Sequence, residues 1–173
     1  MPRTIGARRL ALATLLAALT LPAGAQEAGD ELRATYGDWQ VRCATGTDRC
    51  AIAQVGQGPQ GNDVLEVRVR KLDGATGPNG ETFPAAIQIL TPLGVALKAG
   101  VRVQVDGNEQ RAAAFEVCAQ GGCIVREPMQ SDFLNELKGG ATATLTIVAA
   151  PRREIVVPIS RSGFTRAFNE IQA

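Results

Sequence analysis

Apolar and polar residues alternate through the middle of this chain with a period of two. Leu65, Val67 and Val69 fall on one side of an extended segment, and Glu66, Arg68 and Arg70 fall on the other. Successive side chains of a strand point to opposite faces, so this segment predicts a half-buried β-strand. Val101, Val103 and Val105 repeat the pattern against Arg102 and Gln104, as do Ala143, Leu145 and Ile147 against Thr142, Thr144 and Thr146. Strands with one apolar and one polar face belong to antiparallel sheets. The arginine-bearing face reads first as a solvated sheet surface, with a partner surface as the alternative.

Nine such runs are predicted, at 38–43, 50–55, 64–72, 86–91, 101–106, 113–118, 123–127, 142–149 and 154–160, separated by Gly, Pro, Asn and Asp. Many short strands between turn signals make an all-β sandwich or barrel. In the first run Trp39 shares a face with Val41, which places the tryptophan in the core. Two short helices interrupt the strands. Ser131 is the expected N-cap of one carrying Phe133, Leu134 and Leu137, closed by Lys138 and Gly139. Phe164, Ala167, Phe168 and Ile171 recur at helical spacing after Gly163 and read as a stripe packed on the domain. Residues 74–84, with Gly77-Pro78-Asn79-Gly80, are the expected long loop and a natural place for recognition.

The N-terminus changes the picture. Arg3, Arg8 and Arg9 precede an apolar run from Leu10 to Leu21, and Pro22-Ala23-Gly24-Ala25 follows. A basic segment, a short apolar segment and a small-residue cleavage site predict a cleavable signal peptide over residues 1–25. The run is shorter than the roughly 20 residues of a membrane-spanning helix, so no integral anchor is expected after cleavage. Residues 26–35 read as a flexible lead-in and residues 36–173 as one domain, periplasmic or secreted. Loss of the three N-terminal arginines from 18 basic residues, against 17 acidic ones, leaves a net charge of −2. With one Trp and one Tyr besides, the chain has neither the basic stripe nor the stacking aromatics of a nucleic-acid binder.

Four cysteines in an exported chain point to disulfides. Cys118 and Cys123 flank a hairpin-length loop containing Gly121 and Gly122, and Cys43 and Cys50 flank a turn containing Gly46 and Asp48. Paired strands bring facing residues roughly 4.5 to 5.5 Å apart, within disulfide range, so the expected bridges are Cys43 with Cys50 and Cys118 with Cys123. Neither a zinc knuckle nor a redox Cys-x-x-Cys motif fits these spacings. The chain has no histidine, which removes the usual general base and the commonest metal ligand. No catalytic, cofactor-binding or metal-binding residue is therefore assigned, and the acids read as surface charge. A carboxylate site remains the third-ranked reading, with Glu116 and Glu127, expected to be buried beside the second cysteine pair, as its test residues. Gly56-Gln57-Gly58 opens no phosphate-binding helix, and Asp106-Gly107-Asn108 is a hairpin turn, not a calcium loop.

Five segments in order resemble one family: Tyr36-Gly37-Asp38-Trp39-Gln40-Val41-Arg42-Cys43, Cys50-Ala51-Ile52-Ala53-Gln54, the stretch from Leu93 to Val101, Cys118 with Gly122-Cys123, and Ser162-Gly163-Phe164. They look like the invasion-associated locus B family. The resemblance implies an immunoglobulin-like antiparallel β-sandwich in the periplasm or envelope, with members linked in some pathogens to host-cell entry and virulence. It brings no catalytic motif. The expectation is a non-enzymatic envelope protein that binds another protein or an envelope component through a sheet edge or loops, its partner unknown. A periplasmic carrier with an apolar pocket between the sheets is the alternative.

Overall fold

The computed structural model describes residues 29–140 and 142–173; the expected signal peptide lies outside them. Eleven strands occupy Asp30–Tyr36 (β1), Trp39–Ala44 (β2), Cys50–Gln57 (β3), Asp63–Thr76 (β4), Thr82–Thr91 (β5), Val101–Val105 (β6), Arg111–Ala113 (β7), Val117–Ala119 (β8), Gly122–Met129 (β9), Ala143–Ala149 (β10) and Arg153–Ile159 (β11). They form two antiparallel sheets. One has seven strands in the order β1-β2-β3-β4-β5-β9-β8, and the other has four in the order β11-β10-β6-β7. Two helices complete the fold, Ser131–Gly139 (α1) and Phe164–Glu170 (α2). The architecture is an all-β, immunoglobulin-like sandwich whose first five strands are consecutive neighbours.

The alternating segments do what their pattern dictates. Val67, Val69, Ile87, Ile89 and Val125 point inward from the large sheet, and Val101, Val103, Val105, Leu145 and Ile147 from the small one, all in one shielded cluster. Two apolar faces bury each other, which is the physical reason for two layers. The sheets approach most closely where β11 meets β3. A Cβ on Gly56 would stand 2.5 Å from Val157 Cγ1 and 3.0 Å from Ile159 Cδ1, so only glycine admits that approach. Gln54, buried beside it, fixes the contact by accepting a hydrogen bond from Ser160 N at 2.8 Å.

α2 closes the open end near β1 and β2. Phe164, Ala167 and Phe168 are buried, with Ile171 just beyond the helix, so the apolar stripe serves packing. Phe164 meets Trp39 edge-on at 5.0 Å between ring centroids. Trp39 is 2 % exposed and its Nε1 donates to Ser160 O at 2.8 Å, which places it in the core with Val41 as the alternation predicts. Gly163 makes the entry to α2 feasible. Its φ is +89°, and a Cβ there would lie 1.7 Å from Tyr36 O.

Five expectations are corrected. Residues 30–35 of the expected lead-in are not flexible but belong to edge strand β1, paired antiparallel with β2 through one register shift between Leu32 and Ala34. The single run at 113–118 is two strands, since β7 pairs with β6 in the small sheet and β8 with β9 in the large one. Most of the long loop at 74–84 is ladder, because β4 reaches Thr76, β5 starts at Thr82, and Ala75 pairs with Phe83. Ser131 does not cap α1. The N-cap is Gln130, whose side chain makes no capping bond, while Asp132 Oδ1 accepts from Phe133 N at 2.7 Å. Nor is Gly139 past the helix end: it is the last helical residue, and Gly140 follows in extended conformation.

Candidate functional site: the arginine face of the large sheet

The polar side of the alternation becomes a surface when the strands align. Register places Gln40, Ala53, Arg68, Gln88 and Arg126 in one row across β2, β3, β4, β5 and β9. Arg42 faces Ala51 in the neighbouring row, and Arg70 faces Ala86, which faces Pro128. Four guanidinium groups from three strands thus stand over a floor of small side chains. Two depressions result, on either side of Arg68. One of about 630 Å³ has Gln40, Arg42, Ala53, Val55, Glu66 and Ser160 in its walls and floor. The other, of about 420 Å³, is formed by Ala51, Arg70, Leu72, Ala86, Gln88 and Arg126.

The four arginines are not equivalent. Arg68 pairs with Asp30 and, at 2.9 Å, with Glu66. Its partial burial alone would lower its pKa, but the hydrogen bonds and charges of Asp30 and Glu66 outweigh that and raise it. Arg68 is therefore a fixed divider between the depressions. Arg126 donates to Gln88 at 3.1 Å and to Glu116 at 3.0 Å on an exposed rim. Among the described residues Arg42 bonds only the neutral Gln40, at 2.9 Å. Arg70 forms no ion pair among the described residues and is exposed. Arg42 and Arg70 retain planar donor forks suited to a carboxylate or phosphate from outside.

The expected site residues fall elsewhere or support this face. Cys43–Cys50 and Cys118–Cys123 are both bridged, each with Cα atoms 4.0 Å apart. The first bridge ends the β2–β3 ladder next to the Arg42 and Ala51 pair. The second pins β8 to β9 at the far edge. Glu116 and Glu127, expected to be buried, are both exposed, Glu116 with 53 % of its side chain in solvent. Glu116 immediately precedes edge strand β8 and pairs with Arg126, and Glu127, on β9, stands in the wall of the Arg70 depression. Arg102, alternating like Arg68, sits on the other sheet and pairs with Glu154 at 2.6 Å. The hairpin tip at 77–81 contributes no residue to either depression. Sequence alone names Arg68 and Arg70, but Arg42, Arg126 and the buried tie Gln54 emerge only from the strand order.

Fold and site together define a disulfide-braced β-sandwich that presents a cationic sheet face. Residues 39–172 match the family described as Invasion associated locus B (IalB) protein. The chain belongs to that family. It is 29 % identical to an invasion protein B homolog of Brucella abortus, with 94 % of this chain and 90 % of that protein aligned. It is 26 % identical to invasion protein B of Bartonella bacilliformis, covering 92 % of this chain and 82 % of that one. A crystal structure of invasion associated protein b from Bartonella henselae has the same fold, with a TM-score of 0.62 at 22 % identity over 80 % of this chain and 94 % of that one.

Proposed function

We propose that this chain is a non-enzymatic envelope protein of the invasion-associated type, exported by cleavage after residue 25, that binds an acidic partner across the arginine face. Its site of action is the periplasm or the cell exterior, and its contribution to host-cell entry runs through that partner. The supporting observation is the pair Arg42 and Arg70. Two guanidinium groups that form no ion pair among the described residues flank depressions floored by Ala51, Ala53 and Ala86, which leaves their donor forks open to an approaching carboxylate or phosphate. Family membership and the names of the relatives support the invasion-associated type.

The carrier reading finds less support. The cavity between the sheets, beside Ile87, Val103, Val125 and Phe133, holds about 190 Å³. Ligand pockets usually start near roughly 300 Å³.

A photoreactive amino acid at Gln88, in the Arg70 depression, tests the proposal in living envelope against the same group at Val156 on the other sheet. Adducts should form at position 88, fall on the order of tenfold with R42E/R70E, and weaken with added salt. Equal labelling at both positions, or labelling indifferent to the arginines, would sink the reading. Turnover of an ester, peptide, glycoside or thiol that follows the purified protein would sink its non-enzymatic part.

A further inference from the structure

A second surface lies between the sheets at the β5 to β6 connection, and its chemistry differs from that of the arginine face. Leu93 and Leu97 are 58 % and 54 % exposed, the two largest values among the exposed large apolar side chains of the described residues. Isolated exposed leucines are ordinary. These two stand four residues apart on one loop, and the loop is held firmly. Val95 bridges Ala149, Ala96 N donates to Val148 O at 2.7 Å, and Ala150 N donates to Gly94 O at 2.8 Å. A 3-10 turn at Leu97–Ala99 then returns the chain to β6. The backbone is fixed with its leucines outside, so they are not core residues caught in transit.

The same hydrogen bonds set this loop beside the β10–β11 turn, and with it a cluster of cations. Lys98 follows Leu97, and Arg152 and Arg153 follow Ala150-Pro151. All three are exposed, and none forms an ion pair among the described residues. Residues 91–102 and 142–153 contain no Asp or Glu. The nearest acid in sequence, Glu154, is held by Arg102. The hairpin turn beyond Thr91, Ala119-Gln120-Gly121-Gly122, is uncharged.

We infer that this tip docks the protein on an anionic phospholipid surface, with Leu93 and Leu97 entering the headgroup layer and Lys98, Arg152 and Arg153 facing lipid phosphates. An apolar pair alone would suit any hydrophobic partner. Rimmed by three unpaired cations, with the adjacent acid Glu154 neutralised by Arg102, it complements a surface that is negatively charged outside and apolar beneath. A rigid loop loses little conformational freedom on insertion, which favours binding by so small a wedge.

Flotation of the exported, oxidised protein with vesicles tests this. Vesicles of phosphatidylcholine mixed with phosphatidylglycerol should carry the protein up, and pure phosphatidylcholine should not. L93S/L97S should reduce partitioning on the order of tenfold, and K98E/R152E/R153E should abolish it, while V156S on the small sheet leaves it unchanged. Both sets of sites are exposed, and an unaltered thermal midpoint of each variant confirms folding. Absence of flotation with the anionic vesicles, equal flotation with both compositions, or binding insensitive to the leucines overturns the inference.

Discussion

Along β4, Leu65, Val67 and Val69 are almost wholly shielded, whereas Glu66, Arg68 and Arg70 between them face outward. The inner side meets a second sheet, so its stability comes from area removed from water and from close packing. The outer side meets no layer, and its charges hold one another only at the Arg68 centre. One strand therefore carries two unrelated jobs. Changes to its inner positions should register in stability, and changes to its outer positions in recognition.

The largest expected effect tests the inner side of the same sheet, at Trp39 on β2. Trp39→Ala removes a side chain that packs against Phe164 and bonds Ser160, and should cost about 3 to 5 kcal/mol in denaturant unfolding. Arg70→Ala on the outer side should change stability by less than about 0.5 kcal/mol. Comparable losses would erase the division. The native fluorescence of Trp39 should be blue-shifted and move red on unfolding, and a native spectrum already like that of tryptophan in water would contradict its burial.

The two disulfides sharpen the same contrast at the next magnitude. Each closes a short loop, worth on the order of 2 kcal/mol in the chain-entropy model. Cys43 and Cys123 are both shielded, but only Cys43 belongs to the core cluster, with Cys50 packed against it, while Cys118 lies in an edge strand with all three residues exposed. C43A/C50A should therefore lower the unfolding midpoint more than C118A/C123A. The reverse order would mean that the β8–β9 edge organises the fold.

How much of this was readable in the chain follows from where energy resides. Core strands declare themselves because burial selects a period of two, as in Leu65, Val67 and Val69. β1 does not, since Asp30-Glu31-Leu32-Arg33 is exposed and owes its order to pairing with β2. Its Asp30 nevertheless holds Arg68, so part of the candidate site came from a stretch that looked structureless. The sheet change between β7 and β8 was hidden for a related reason: Ala114-Phe115-Glu116 carries no strong turn signal, and which sheet each half joins is decided by distant partners. The cysteine pairs were legible because hairpin closure is local. The arginine face was half legible, as alternation supplies direction but strand order supplies neighbours.

The smallest expected effect concerns the β4–β5 hairpin tip, which has neither a core side nor a part in the arginine face. Glu81 sits below the usual carboxylate range, chiefly through the hydrogen bond from its own backbone N–H and then through the Asn79 side chain. Its carboxylate accepts from Asn79 N and Nδ2, each at 3.1 Å. A group whose pKa is lower in the folded state favours folding above its unfolded pKa, and that contribution disappears as pH falls through the folded value. Acidification through the carboxylate range should therefore loosen the turn at Gly77–Gly80 before the sheets respond. Amide resonances of residues 77–81 should shift together on titration while those of β3 and β6 hold still, and Glu81→Gln should flatten the shift. If the tip and core amides move as one, the hairpin is coupled to the sandwich and the separation of regions drawn from β4 does not extend to its end.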